Sequence, residues 1–162
     1  MDPSLSARRD LLRHTVATLA YRGGKAVRGA PAGFSEFKAG PTSRAAGQIL
    51  AHVCDLLDWA LSLAEGKQKW QESKPQSWDE DVKRFHAALA AFDERLAMDA
   101  DLGSPPERLF QGPVADALTH VGQINLLRRL AGEAVKGENY HKAEITAGRV
   151  AAEQAKPRVE FD

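Results

Sequence analysis

The sequence predicts an all-α fold, a four-helix bundle. Three observations carry this. Apolar residues recur at helical spacing in four long segments. β-branched residues are sparse and never alternate over a useful length. Cap signals and glycines punctuate the chain where helices of ordinary length should begin and end.

Taken in order, helix one is expected from Ser6 to Lys25, with Leu12, Val16, Leu19 and Ala20 on one face and Gly23-Gly24 weakening its end. A Gly- and Pro-rich loop follows, RGAPAGFSEFKAGPTS, in which Phe34 and Phe37 are anchors to the bundle. Helix two is expected from about Ser43 to Glu65, capped by Thr42 or Ser43. Its Ile49, Val53, Leu56, Leu57, Ala60 and Leu63 span an arc wide enough to meet two neighbours. Helix three opens on the capping box Ser77–Glu80. Trp78, Val82, Phe85, Leu89, Phe92 and Leu96 form its stripe, and Gly103 closes the segment. Ser104-Pro105-Pro106-Glu107 repeats the cap signal, with Ser104 as cap and Pro105 as first residue of a short helix that stops at Gly112-Pro113. The last long helix is expected from Pro113 to about Val135, with Asp116, His120, Ile124, Leu127, Ala131 and Ala134 on one stripe. Residues 1–137 therefore read as the bundle. Residues 138–162 read as a polar tail, packed on the bundle or trailing from it, with a solvated tail the more economical reading.

The 162 residues suffice for one core without staples. Lysine plus arginine equals aspartate plus glutamate, at 22 each, so the chain has no general electrostatic pull on nucleic acid or an anionic membrane. No segment approaches the roughly 20 apolar residues of a membrane span. One cysteine, Cys54, allows no intrachain disulfide. A reducing cytoplasm is the expected setting, and the charged first 30 residues do not read as a secretory signal. Bundles of this size often pair through helix faces, so a homodimer is within reach, although no segment marks an interface.

The chemistry-bearing residues are His52 in helix two and the pair Asp116–His120 in the last helix. Spacing of i to i+4 stacks the carboxylate and imidazole on one face. If helix two and the last long helix pack together, two imidazoles and a carboxylate form a small metal site with open positions. Each residue has a plainer explanation too. A lone buried histidine is more often a hydrogen-bonded core residue, and an acid in the first turn suits the helix dipole.

QILAHVCDLLDWAL, followed by ALTHVGQINLLRRLAG, resembles the DinB/YfiT-like family of metal-binding four-helix bundles. The resemblance spans about residues 8 to 137. In that family a histidine on the second helix joins two histidines spaced i, i+4 on the last long helix, and a Gly-Gln pair follows. The resemblance implies His52 as the first ligand and His120 as the last, with Gly122 and Gln123 in the expected place. The middle ligand falls on Asp116, a departure from histidine. A His-Asp-His set suits zinc or nickel, with iron or manganese as other occupants. The added negative charge would make a bound dication less acidic toward its water. The family further implies hydrolysis or thiol transfer on a small-molecule substrate, a low-molecular-weight thiol among the candidates. Gln123, one turn past His120, is placed to orient a ligand through a hydrogen bond. The alternative is a non-catalytic binding or stress-response bundle whose metal site is weak or lost.

Other residues read more plainly. His14 faces solvent and His86 packs at the edge of the core. Asp55 shares a polar side with Asp58, Ser62 and Glu65 and reads as a surface acid, although its position one turn past His52 also allows contact with the site. Cys54 reads as an inert thiol. Trp59, Trp70 and Trp78 belong to the core or the bundle end, or else wall a pocket. Tyr140, His141 and Arg149 would reach a substrate only if the tail folded over an open end. Walker, Rossmann, nucleophile-elbow and zinc-ribbon motifs are lacking, as is the paired Glu-x-x-His of di-iron bundles, which argues against a ferritin-like oxidase.

Overall fold

A computed structural model describes residues 3–162. Four long helices form the body: α1 (Pro3–Val27), α2 (Ala46–Ala64), α3 (Trp78–Ala97) and α5 (Ala115–Leu130), with the short α4 (Pro106–Leu109) leading into the last through a π turn at Phe110–Val114. α2 packs on α3 and α5, and α1 packs on the same two, so α1 and α2 occupy opposite corners of the bundle. The core lies between them. Phe85, Phe92, Leu19, Leu50, Leu57, Leu89 and Ile124 are fully buried. Each such side chain contributes about 1.5–3 kcal/mol of transfer free energy.

The helix ends show where local sequence and structure part. α1 runs through Gly23-Gly24 to Val27, because Gly23 is where the Phe85 ring lies against the helix: a Cβ there would sit 2.6 Å from the ring's Cζ. The carbonyls at and just beyond that end are gathered by buried Arg128, which donates to Ala26 O, Arg28 O and Gly29 O at 3.0–3.1 Å. Arg9 plays the same part for the end of α3, donating to the carbonyls of Met98 and Ala100. α2 begins three residues later than expected. Ser43 is engaged with Gly40 in a turn, and Ala45 is the cap residue, its N–H bonded to Gln48 Oε1 at 2.8 Å. The Ser77–Glu80 capping box forms as the sequence predicts.

Three boundaries near α5 differ. α4 starts at Pro106 with Pro105 as cap and no side-chain cap from Ser104; neither proline has an N–H to satisfy. Gly112-Pro113 does not stop the chain. The helix bulges by one residue, with the Ala115 N–H reaching back to Phe110 O, and continues. α5 then ends at Leu130 rather than Val135. Gly132, at φ 84°, closes a Schellman motif in which Glu133 N–H bonds Arg128 O and Gly132 N–H bonds Arg129 O.

The tail is docked rather than solvated. Glu138 is buried and accepts hydrogen bonds from Tyr21 Oη (2.7 Å) and Lys25 Nζ (2.8 Å). Gly137–Glu138 (β1) pairs antiparallel with Glu160–Phe161 (β2). Val150 is buried, and its carbonyl oxygen lies 3.3 Å from His86 Nδ1. The tail thus lies along α1 and α3. Among the described residues no helix is long and apolar enough to cross a membrane.

Candidate metal centre

The groove between α2 and α5 brings His52, Asp116 and His120 together. Each offers one ligand atom, and these atoms all lie within 4.8 Å of one another. His120 Nε2 stands 3.3 Å from Asp116 Oδ1, and His52 Nε2 stands 3.7 Å from Asp116 Oδ2. Bonds of about 2.0–2.2 Å in a tetrahedral set put neighbouring ligand atoms roughly 3.3–3.6 Å apart, so the His120 spacing falls within that range and the His52 spacing lies just above it. The two imidazole rings meet edge to face, centroids 4.8 Å apart.

Local structure orients each group. The His120 ring faces the Gln123 side chain one turn on, Nδ1 to Oε1 2.9 Å. With the amide oxygen accepting, Nδ1 carries the proton and the Nε2 lone pair is directed at Asp116. Thr119 Oγ1 donates its one proton to the Asp116 carbonyl oxygen at 2.7 Å and lies 3.4 Å from Asp116 Oδ1. Trp70, carried by the loop between α2 and α3 and 46% exposed, stands edge-on to His52 (centroids 5.8 Å) and to Trp59 (5.8 Å). Burial, then the neighbouring His120 and then Arg44 hold His52 below the usual imidazole range, which keeps it neutral and available as a ligand.

The centre is open on two sides. One cavity of about 480 Å³ is lined by His52, His120, Arg44, Ile49, Leu126 and Leu127 among others. Another, of about 440 Å³, reaches Asp116 from beside Trp59 and Gly112. The side chains of His52 and His120 are 19% and 13% exposed, whereas Asp116 is 48% exposed. His120 therefore sits at the rim of the α5 core stripe. Its middle is Ala117, Val121, Ile124 and Arg128, a stripe turned from the expected one.

The remaining candidates lie elsewhere. Asp55 is no surface acid: it is buried, and both carboxylate oxygens are held, by Ser73 N (2.9 Å), Ser73 Oγ (2.6 Å) and Arg84 (2.6 Å). It ties the Trp70-bearing loop to α2 and α3. Cys54 is buried with Sγ 3.5 Å from Asp81 O, and burial pushes its thiol up to about 12, so it is no nucleophile. His14 is exposed on α1 and His86 half-buried on α3. Trp78 packs on Phe34 and donates to Val27 O, away from the triad. Tyr140 stacks edge-on with Tyr21 on α1, and His141 and Arg149 are exposed in the tail. The tail follows α1 and α3, whereas the triad opens between α2 and α5. Arg44 and Thr119 are additions that sequence reasoning missed; neither lies in a recognisable motif. No family model, curated protein or solved structure matches the chain.

Proposed function

We propose that this protein is a divalent-metal-dependent enzyme of the DinB-like class, a hydrolase or thiol S-transferase, with His52, Asp116 and His120 as ligands. The convergence of three ligand atoms within 4.8 Å in an open groove carries the reading. A protein set of two imidazoles and one carboxylate leaves coordination positions free, as catalytic rather than structural zinc sites do. Zinc or nickel suits these donors best; iron or manganese is the alternative. A bound dication would supply the acidity that makes water or a low-molecular-weight thiol nucleophilic at neutral pH. The chain's own contributions are distinct. Gln123 holds the His120 tautomer, Asp116 sets the charge of the centre, and Trp70 flanks the His52 ring edge-on. The open cavities beside the triad are of a size for small organic molecules.

The test is metal content by mass spectrometry on protein purified without an affinity tag. Near-stoichiometric metal should fall sharply in a His52→Ala, His120→Ala double variant. A thermal melt of the wild-type protein with and without a strong chelator gives a second readout. At free metal 100 times Kd the stabilisation is about 2.7 kcal/mol, or roughly 5–11 °C for a domain of this size. Sub-stoichiometric metal that the double variant does not lower, with melts indifferent to chelator, would leave a non-catalytic bundle.

A further inference from the structure

The cavity of about 480 Å³ beside the triad has an uneven lining. Its only fixed charge is the guanidinium of Arg44, and no acidic side chain lines it. Ile49, Leu126 and Leu127 form an apolar wall, and Leu126 is 55% exposed with nothing packed over it. Arg44 also lines the neighbouring cavity of about 410 Å³, so its side chain stands between two clefts that both reach His52. The contrast with other arginines is informative. Arg13 and Arg84 are bound to carboxylates, and Arg9 and Arg128 are spent on helix-end carbonyls. Arg44, like Arg108, Arg129 and Arg149, has no described side-chain ion pair or hydrogen bond, and of these four it is the one that lines the triad cavity. The 410 Å³ cleft also holds Glu72, Lys74 and the Asp55 already bound to Ser73 and Arg84, but on the triad side Arg44 faces no acid. A planar guanidinium without an ion pair, beside apolar surface, matches a ligand with a carboxylate at one end and an apolar body at the other.

We propose that this cleft selects small organic carboxylates, with the carboxylate on Arg44 and the apolar body along Ile49, Leu126 and Leu127. Arg44 lies two residues before the first residue of α2, so the positive end of that helix adds to its pull on an anion, and the apolar wall beside it suits an organic carboxylate. Placing the reacting end of such a molecule at the triad rests on the metal-enzyme reading above; the anion subsite itself does not.

A bound metal would also attract carboxylates, so the decisive experiment is done in chelator. Three isosteric probes, 4-phenylbutyrate, 4-phenylbutanol and 4-phenylbutylammonium, are titrated into the chelator-treated full chain. The methyl NMR signals of Ile49, Leu126 and Leu127 are followed. The acid should bind about five- to tenfold tighter than the alcohol, the range of a partly exposed charged hydrogen bond. Arg44→Gln should abolish that preference, and Arg44→Glu should reverse the order so that the ammonium binds best. Equal binding of acid and alcohol to the wild-type protein would overturn the proposal. So would an order unchanged in Arg44→Glu, or shifts confined to the separate groove beside Leu11 and Phe110. None of these results depends on metal, and metal analysis of the same preparation judges the triad separately.

Discussion

Gly23 and Gly24 are adjacent, both buried in the interior of α1, and alanine at each should act with opposite sign. In a helix interior glycine is about 0.8–1 kcal/mol worse than alanine, so both variants share that gain. The difference lies in what the new methyl meets. At Gly24 the nearest atom is His86 Cε1 at 3.5 Å, an ordinary contact. At Gly23 it meets Phe85 Cζ at 2.6 Å and Val121 Cγ2 at 3.4 Å. Phe85 is 1% exposed and its ring is flanked by His86, so it cannot swing aside and α1 must move. Overpacking of this kind costs about 1–3 kcal/mol. Gly24→Ala should therefore stabilise by about 0.5–1 kcal/mol, and Gly23→Ala should destabilise by about 1 kcal/mol. Helix propensity cancels in the comparison, leaving about 2 kcal/mol between the variants, or roughly 4–8 °C in Tm. Urea melts of both proteins measure it. Gly23→Ala as stable as Gly24→Ala would refute the close approach of α1 to Phe85. Val121 is next to His120, so the same measurement probes the packing behind the candidate metal centre.

Other outcomes follow from the site and the tail. Gln123→Ala removes the acceptor that fixes the His120 tautomer and should weaken metal binding about 10- to 100-fold, while the melt in chelator stays nearly unchanged; competition against a chromophoric chelator would show the opposite if Gln123 only fills space. His86 is held below the usual imidazole range, chiefly by burial, with the Val150 carbonyl partly opposing. The unfolded chain then binds the extra proton first, so stability present above pH about 6.5 is lost as pH falls toward the lower folded value. Urea melts between pH 8 and 5 should show this loss, and His86→Gln should flatten it; an equal slope in both proteins rejects the assignment.

The bundle was legible because its apolar spacing is regular and tertiary packing agrees with it. Ser77–Glu80 was legible because a capping box is entirely local. Asp116 and His120 could be paired from spacing alone, while bringing in His52 required knowledge of which helices meet. What escaped reading depended on distant partners or on ambiguous local signals. Asp55 looked like a surface acid because Ser73 and Arg84, which bury it, arrive from a loop and from another helix. Trp70 was only one of three tryptophans until the same loop set it on His52. Glu138 gave no sign of burial, since Tyr21 and Lys25 are more than a hundred residues away in sequence. Gly132 gives no stop signal in the sequence, because Ala131 and Ala134 continue the helical rhythm. Gly-Pro reads alike whether a helix stops or merely bulges, and here it bulges.

That bulge has a reach beyond its five residues. Each residue of a helix turns the chain by about 100°, so one surplus residue at Phe110–Val114 sets the azimuth of everything after it. Losing it would leave α5 just as helical while rotating the Asp116 carboxylate and the His120 imidazole toward a different neighbour. Whether this scaffold can chelate is thus decided by a counting offset upstream of the ligands, and two homologues identical at positions 52, 116 and 120 could differ in metal binding through a one-residue gap that leaves the ligands themselves untouched.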